Sequence, residues 1–203
     1  MALPPFTCLE GPLARIRPLT QSDVGPLTEI AVAHPRAFRL TSTPANPEQA
    51  GVYFGRALEM MAAELAVVVV VEDRATGRLL GSSRLTDIDR HHRRCELGYT
   101  WYRPDVFNNG VNVDCKRLLL GHAFDALELV RVQIHTDTRN VRSQRAIRAL
   151  GARYEGVLRR HMVTKDGYVR DTMVFGITDQ DWPHVRLRLD ERLARRLEGE
   201  RRG

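Results

Sequence analysis

The sequence predicts an α/β fold in which a mixed, mostly antiparallel sheet of seven strands is flanked by helices and followed by a C-terminal helix. Two periodicities predict these elements: apolar and polar side chains alternate in strands, and apolar side chains recur three or four residues apart in helices. The predicted order is β-α-α-β-β-β-α-β-α-β-β-α. A strand–helix–strand segment near the middle of the chain requires two parallel strands, because a crossover helix returns the chain to the same end of the sheet.

The first half of the chain predicts a strand, two helices and three further strands. Prolines interrupt the chain between the two helices, and β-branched residues dominate the strand that follows the second helix. The predicted strands are Leu13–Pro18, Ala66–Glu72, Arg78–Leu85 and Cys95–Tyr102. The predicted helices begin at Thr20 or Ser22 and at Pro47, and they end near Ala33 and Glu64.

Alternation along the fourth predicted strand divides its side chains between the two faces of the sheet. The set expected in the core is Cys95, Leu97, Tyr99 and Trp101. The set expected on a polar face is Glu96, Gly98, Thr100 and Tyr102. Glu96 is the one ionisable carboxylate on this strand, so the alternation directs it away from the core.

The second half predicts a loop, a helix, a strand, a helix, a hairpin and a last helix. The loop is Asp105–Asn112, the first helix Val113–Leu129, the strand Arg131–Asp137, and the second helix opens near Asn140 and stops at Gly151. The hairpin strands are Tyr154–Val163 and Tyr168–Ile177. The last helix starts at Asp181-Trp182-Pro183 and carries the apolar stripe Val185, Leu189, Leu193 and Leu197. We expect this stripe to pack on the domain or on a second copy in a homodimer.

Length and composition indicate one globular domain. The chain has 203 residues, of which 43% are hydrophobic and 28% charged, so it can bury a core and is not a disordered protein. We expect a single domain over residues 1–203, with its core at about 13–178 and the C-terminal helix at about 181–198. The net charge is +6, and the excess lies in Arg139–Arg170. Such a segment suits a polyanion, either coenzyme A or RNA, although it is also typical of a solvated, arginine-rich helix face.

The cysteines and the apolar segments indicate the cellular compartment, and they argue against a metal site and a membrane span. The three cysteines have no motif spacing, which favours a reducing cytoplasm and no structural disulfide. His91, His92 and Cys95 lack a fourth ligand at zinc spacing, so we expect no metal site. Met1–Pro12 has no signal-peptide pattern, and the longest apolar run, Leu65–Val71, is too short to span a bilayer, so no membrane role is expected.

Five short segments, in this order and spacing, resemble the GNAT acetyltransferase superfamily, and within it the RimJ/RimL type that acetylates N-termini of ribosomal proteins. The segments are Leu97–Trp101, the loop Asp105–Asn112, Arg131–Gln133, Asn140–Ser143 and Leu150–Ala152. The resemblance covers roughly Leu13–Thr178 and implies the GNAT fold. It also implies that the fourth and fifth strands splay apart and that the pantetheine of acetyl-CoA lies between them.

The loop before the central helix is the implied phosphate site. The family's loop has the pattern Gln/Arg-x-x-Gly-x-Gly/Ala, and Gly110 matches it, whereas Phe107 and Asn112 depart from it. Main-chain amides at a helix N-terminus bind phosphate whatever the side chains are. The predicted cofactor-binding residues are Asn108, Asn109, Gly110, Val111, Asn112 and Val113. The alternative for Asn108-Asn109-Gly110 is an ordinary turn.

The resemblance also gives roles to Asn140 and Ser143, at the start of the next helix. Asn140 matches an asparagine that contacts pantetheine, and it is also a good N-cap residue. Ser143 matches a serine near the coenzyme sulfur, where it would stabilise or protonate the leaving thiolate; the alternative is a first-turn helix residue. Many relatives instead use a tyrosine seven residues after the asparagine, a position held here by Ile147, so Tyr154 is the substitute to consider.

Glu96 occupies the position where relatives carry a base for the acceptor amine, acting directly or through water. The alternative is an ion pair with Arg94 or another arginine. Three histidines, His122, His135 and His161, show no partner pattern and are expected to be structural or on the surface. The acceptor pocket is implied to lie near Phe38, Tyr53 and Phe54, which are otherwise core residues.

The predicted function is therefore transfer of an acetyl group from acetyl-CoA to a primary amine, either a protein N-terminus or a small molecule. Two other functions are compatible with the sequence. The altered phosphate loop is compatible with a noncatalytic acyl-CoA-binding or regulatory domain. The basic segment Arg139–Arg170 is compatible with an RNA or ribosome binder, although the aromatic platforms of single-strand binders are missing.

Overall fold

The computed structural model describes residues 4–202, with side chains described up to residue 199. The strands are β1 (Leu9–Glu10), β2 (Ala14–Pro18), β3 (Val67–Asp73), β4 (Leu79–Asp89), β5 (Arg94–Tyr102), β6 (Arg131–Asp137), β7 (Arg153–Val163) and β8 (Val169–Thr178). The helices are α1 (Val24–Ala33), α2 (Pro47–Ala62), α3 (Val111–Gly121), α4 (Val141–Leu150) and α5 (Trp182–Arg202). No helix in this part of the chain is long and apolar enough to cross a membrane.

All the strands belong to one sheet, in the order β1-β2-β3-β4-β5-β6-β8-β7. Every neighbouring pair is antiparallel except β5 and β6, which are parallel. The predicted crossover through the central helix is thereby confirmed, as are the seven predicted strands. The eighth strand, β1, was not predicted, because only Leu9 and Glu10 pair with β2 and two residues carry no periodicity.

A buried carboxylate fixes α3 against the edge of the sheet. Asp114, in the first turn of α3, accepts hydrogen bonds from the amides of Leu13 and Ala14 at 2.7 and 2.8 Å. A Cβ atom on Gly11 would lie 2.1 Å from Asp114 Oδ1, so the turn between β1 and β2 requires glycine there. The start of α3 is therefore held in a fixed position relative to β2.

The central helix differs from the prediction at both ends. It begins at Val111, two residues earlier than predicted, because Gly110 takes a left-handed conformation at φ 96° and forms the N-cap. After Gly121 the chain continues as a π-helical turn, His122–Ala126, instead of a regular helix to Leu129. Val111, Asn112 and Val113 are thus first-turn helix residues.

The two faces of the sheet are covered by different helices. Helices α3, α4 and α5 cover one face, which we call the helical face although helices lie on both. Its core includes Leu97, Leu120 and Phe175. On the opposite face, which we call the α1/α2 face, Leu27 and Phe54 pack with alternate residues of β3 and with Trp101. Functional side chains at the middle of the sheet can therefore reach two separate environments.

The apolar stripe of α5 packs on its own domain. Val185 and Leu189 are buried in the helical-face core, Leu193 is also buried, and α5 contacts α3 and α4. Leu197 is half-buried. Of the two expectations for this stripe, packing on the domain is the one that the structure shows.

Leu189→Ala should lower the free energy of unfolding by about 2–5 kcal/mol, since it removes a fully buried side chain from a close-packed site. Leu187, two residues earlier in α5 and 58% exposed, provides the control. Leu187→Ala should change stability by no more than about 0.5 kcal/mol. Urea unfolding of both variants measures the difference, and equal losses would show that α5 does not pack as described.

Candidate active site

The parallel strands β5 and β6 pair over only three residues each. The pairs are Arg94 with Arg131, Cys95 with Val132, and Glu96 with Gln133. Beyond Glu96, β5 stays paired with β4 and β6 stays paired with β8, so the two strands part and leave a cleft between them. The main-chain groups that face this cleft are available to an extended ligand.

A β-bulge lies in β5 just beyond the point of separation. Ser82 pairs with Trp101 and Arg84 pairs with Gly98, so two residues of β5, Tyr99 and Thr100, lie opposite one residue of β4. Tyr99 has φ 51°, a conformation that is strained for a tyrosine.

The bulge reverses the alternation that the sequence predicts for this strand. Tyr99, predicted to be in the core, is 41% exposed. Tyr102, predicted to be on the polar face, is buried in the core with Cys95 and Leu97. Trp101 remains buried as predicted, but it packs on the α1/α2 face. A single extra residue shifts every later side chain to the other face, which the periodicity of the sequence alone does not indicate.

The bulge is held from both faces. On the helical face, Lys116 of α3 donates hydrogen bonds through Nζ to the hydroxyls of Thr100 and Ser83. On the α1/α2 face, the hydroxyl of Tyr53 donates to the carbonyl oxygen of Tyr99 at 3.4 Å. Lys116 has no carboxylate partner in residues 4–199, and burial lowers its pKa to about 8. Of the three predicted pocket aromatics, Phe38 and Phe54 are core residues, and Tyr53 reaches the cleft.

The start of α3 offers main-chain donors, as predicted, but not at every residue. Asn108 is exposed at φ 64°, and Asn109 Oδ1 accepts the amide of Val111 at 3.1 Å, so that amide is not free. Within the described chain, the amides of Gly110, Asn112 and Val113 have no hydrogen-bond partner. Three unpaired amides at the positive end of a helix dipole fit a phosphate group.

Phe107, which departs from the family's loop pattern, contacts a cation. The guanidinium of Arg142, in the first turn of α4, lies over the Phe107 ring at 4.3 Å. The same side chain donates to the carbonyl oxygen of Ala37 at 3.3 Å. Arg142 therefore places a positive charge beside the loop at the position where Phe107 departs from the family pattern.

Asn140 is the N-cap of α4. Its Oδ1 accepts the amide of Ser143 at 3.1 Å, and its Nδ2 has no partner among residues 4–199. The hydroxyl of Ser143 likewise makes no hydrogen bond within the described chain. Ile147 is buried in the core, and Tyr154 packs against Phe175 on the edge strand β7 with half of its surface exposed.

The partner of Glu96 is a histidine, and not an arginine as in the alternative interpretation. Glu96 Oε2 lies 2.8 Å from His135 Nδ1, and both side chains are largely buried. His161 lies beyond His135, with ring centroids 6.0 Å apart, and its Nδ1 is 3.1 Å from the hydroxyl of Thr172. His135, for which the sequence shows no partner pattern, thus has Glu96 as its partner. The missed signal was the parallel crossover, which puts alternate residues of β6 beside Glu96 on one face.

The residues of the basic segment Arg139–Arg170 are used in separate contacts. Arg139 pairs with Asp137 at 2.7 Å and lies over the Tyr168 ring at 3.5 Å. Lys165, at the tip of the β7–β8 hairpin, donates to the carbonyl oxygens of Phe38 and Thr43. His91 and His92 are exposed while Cys95 is buried, and residues 4–199 hold no group of three potential metal ligands.

The sequence matches the family profile described as "Acetyltransferase (GNAT) domain" over residues 14–153. It is 33% identical over 107 residues to "Uncharacterized N-acetyltransferase YoaA" of Bacillus subtilis (strain 168), covering 53% of this chain and 59% of that protein's length. It is 26% identical over 180 residues to "Putative ribosomal N-acetyltransferase YdaF" of the same organism, covering 87% of this chain and 97% of that protein.

Solved structures include the same fold. Mycobacterium smegmatis RimJ, in complex with CoA-disulfide, superposes with a TM-score of 0.77 at 20% identity, over 89% of this chain and 92% of that one. The predicted resemblance to GNAT acetyltransferases is confirmed by the family match, and the fold is that of RimJ.

Lys116→Met should remove the part of the pH dependence of the free energy of unfolding that comes from titration of Lys116. The folded-state pKa of about 8 lies below the ordinary value of 10.5, so the unfolded chain binds the proton more strongly. The cost of burying the charge is fully present below pH 8 and is lost as pH rises towards 10.5. Wild-type stability, measured relative to the variant, should therefore rise by roughly 3 kcal/mol between pH 7 and 10.5.

The control for this comparison is Arg117→Met at the next position, because arginine does not titrate in this range. Its stability difference from wild type should stay constant with pH. Urea unfolding at several pH values provides the measurement for all three proteins. A constant difference for Lys116→Met as well would mean that Lys116 titrates normally in the folded protein.

Proposed function

The chain belongs to the GNAT acetyltransferase family, and on that premise we propose that it acetylates the α-amine at the N-terminus of a polypeptide, such as a ribosomal protein. Acetyl transfer from acetyl-CoA to an amine is the activity of the family, and the α-amine acceptor is the proposed part. The observation that carries the proposal is Glu96, the last residue of β5 that pairs with β6, held by His135 at the mouth of the cleft.

Acetyl-CoA supplies an activated thioester when it is bound. The unpaired amides of Gly110, Asn112 and Val113 suit its pyrophosphate, and the unpaired edge of β5 beyond Glu96 suits its extended pantetheine chain. The free Nδ2 of Asn140 is a donor for an amide carbonyl of that chain. RimJ of M. smegmatis, which has the same fold, is known in complex with a CoA derivative, and this supports the assignment.

Glu96 is proposed to take the proton from the acceptor ammonium, directly or through a water molecule. His135 contacts Oε2, which leaves Oε1 for the acceptor side. Gly98 provides the necessary room, since a Cβ atom there would lie 2.9 Å from Glu96 Oε1. A free α-amine has a pKa near 8, so a carboxylate base is sufficient at neutral pH, whereas a lysine side chain, with a pKa near 10.4, would need a stronger base.

Ser143 is proposed to stabilise the departing thiolate. Its hydroxyl is unpaired within the described chain and lies in the first turn of α4, where the helix dipole also favours negative charge. A tyrosine acid is not available at position 147, which is a buried isoleucine, and Tyr154 packs on Phe175. Ser143 is therefore the better-placed hydroxyl.

A polypeptide acceptor is supported by the open part of the sheet. Helices α1 and α2 cover the α1/α2 face as far as β5, and β7 is exposed along nearly its whole length. A chain end can therefore approach Glu96 from the side of β6 and β8. The similarity to YdaF over 97% of that protein's length supports a ribosomal protein as the acceptor class.

The proposed acceptor predicts that the acetyl group is transferred to the α-amine and not to a lysine side chain. Peptides with a free N-terminus should release CoA thiol and gain one acetyl group on the α-amine, identified by fragmentation mass spectrometry. The same peptides with a formylated N-terminus and a free lysine should not react, since the more basic amine remains protonated. Faster reaction at lysine than at the α-amine would exclude the proposed acceptor while leaving the acetyltransferase activity intact.

The proposed roles of Glu96 and Ser143 predict different pH profiles. Glu96→Gln should lower kcat/KM by about 100-fold or less near pH 7 and recover above pH 9, where the amine is already deprotonated. Ser143→Ala should lower the rate by a similar factor at every pH. The matched controls are Glu59→Gln in α2 and Ser22→Ala, both away from the cleft. A Glu96→Gln profile parallel to wild type would leave Glu96 as a structural partner of His135.

A further inference from the structure

We propose that the acceptor side of the cleft contains a carboxylate-binding subsite formed by Arg84 and Arg170, so that the preferred acceptor is an α-amine with a carboxylate close to it. This inference rests on the proposed function, because it takes the amine to lie at Glu96. It goes further in naming the chemical class of the acceptor.

Arg84 is a buried cation without a counter-ion. It lies on β4 opposite Gly98, on the α1/α2 face, and is 3% exposed. Its guanidinium is stacked between the rings of Tyr53 and Tyr99, at 4.0 and 4.7 Å, and Nη2 donates to the carbonyl oxygen of Tyr53. Its Nε is buried and has no partner, and no carboxylate within residues 4–199 pairs with it.

Arg170 is a second cation near the cleft, and it is half-buried. It lies on β8, on the face that carries His135 and Thr172, and its Nε is also buried without a partner. No ion pair to Arg170 exists in the described part of the chain, and burial lowers its pKa. Its charge interacts with those of Asp137 and Glu96 and with Tyr99, and the Tyr99 ring also contacts Arg84.

Two carboxylates of this face are already engaged. Glu96 contacts His135, and Asp137 accepts hydrogen bonds from both the amide and the guanidinium of Arg139. Neither carboxylate forms an ion pair with Arg84 or Arg170, although the charges of Asp137 and Glu96 act on Arg170 at longer range. Burying an unpaired charge is costly, and an anion that binds there offsets part of the cost through charge-assisted hydrogen bonds. Guanidinium is also the group whose planar edge best matches a carboxylate.

The arrangement of charge defines the acceptor. Glu96 attracts an ammonium group, and the two arginines attract an anion a few bonds away. An amine that carries a carboxylate is complementary to both, whereas polyamines and lysine-rich segments bring positive charge to the arginines. Two sources share this chemistry: a polypeptide that has aspartate or glutamate next to its N-terminal residue, and a free acidic amino acid.

The first test compares isosteric acceptors. Peptides that begin Ala-Asp or Ala-Asn are assayed by thiol release, beside the free amino acids aspartate and asparagine as their α-amides, which differ only in the side-chain carboxylate. Kcat/KM should be about 10- to 100-fold higher for the acidic member of the pair, the range expected for a charged hydrogen bond. Preference in the peptide pair identifies a chain end, and preference confined to the free amino acids identifies a small molecule. Equal rates in both pairs would overturn the subsite.

Variants then assign the preference to the two arginines. Arg170→Gln, at a half-exposed position, and Arg84→Met should each reduce the Asp/Asn ratio towards one, with CoA affinity unchanged in calorimetry. Arg188→Gln, on the outer side of α5, is the control and should keep the wild-type ratio. If Arg84→Met does not fold, Arg170→Gln alone decides the question. A ratio that persists in Arg170→Gln would show that the anion binds elsewhere.

A binding measurement separates this inference from the proposed function. N-acetyl-Ala-Asp and N-acetyl-Ala-Asn peptides have no amine to react, so their affinities report the subsite without turnover. Tighter binding of the acidic peptide to wild type, lost in Arg170→Gln, supports the subsite even if α-amines are not the acceptors. Equal binding of the two peptides contradicts it even if α-amines are acetylated.

Discussion

The parting of β5 from β6 after Glu96 is the constraint on which the site depends. Two parallel strands pair over three residues, and the bulge at Tyr99 then prevents β5 from continuing beside β6. Left-handed backbone at a tyrosine costs free energy and persists only when its surroundings fix it. Tyr53 and Lys116 fix it from opposite faces, by bonds to the Tyr99 carbonyl and the Thr100 hydroxyl.

In the proposed mechanism, different elements of the fold bind the acetyl donor and the acceptor amine. The N-termini of α3 and α4 both point unpaired donors towards it, at Asn112 and Val113 on one side and at Asn140 and Ser143 on the other. Because Asp114 anchors the first turn of α3 to β2, this donor side is rigid relative to the sheet. The other side is formed by Glu96, His135 and Tyr53, which belong to two strands and to α2, so donor and acceptor can be held by independent parts of the fold.

The sequence predicts the seven main strands, the crossover and the order of helices, because these depend on local periodicity. It does not predict the consequences of the bulge, since the face to which Tyr99 and Tyr102 turn depends on one extra residue that leaves no compositional mark. His135 was missed for a related reason: its partner lies on a non-consecutive strand and becomes visible only once β5 and β6 are aligned. The contact of Phe107 with Arg142 was not predicted either, because Arg142 belongs to a helix that is distant in sequence.

Buried cations give the cleft its electrostatic character. Lys116 and Arg84 lie on opposite faces of the sheet, next to the same bulge, and neither has a carboxylate partner among residues 4–199. Charges inside a protein are screened less than charges on its surface, so these two act on the cleft more strongly than the exposed arginines that make up most of the net charge of +6. A positive cleft favours an anionic donor such as coenzyme A. Glu96 is then a local exception, and a negative group in positive surroundings is well suited to hold an ammonium ion before it gives up its proton.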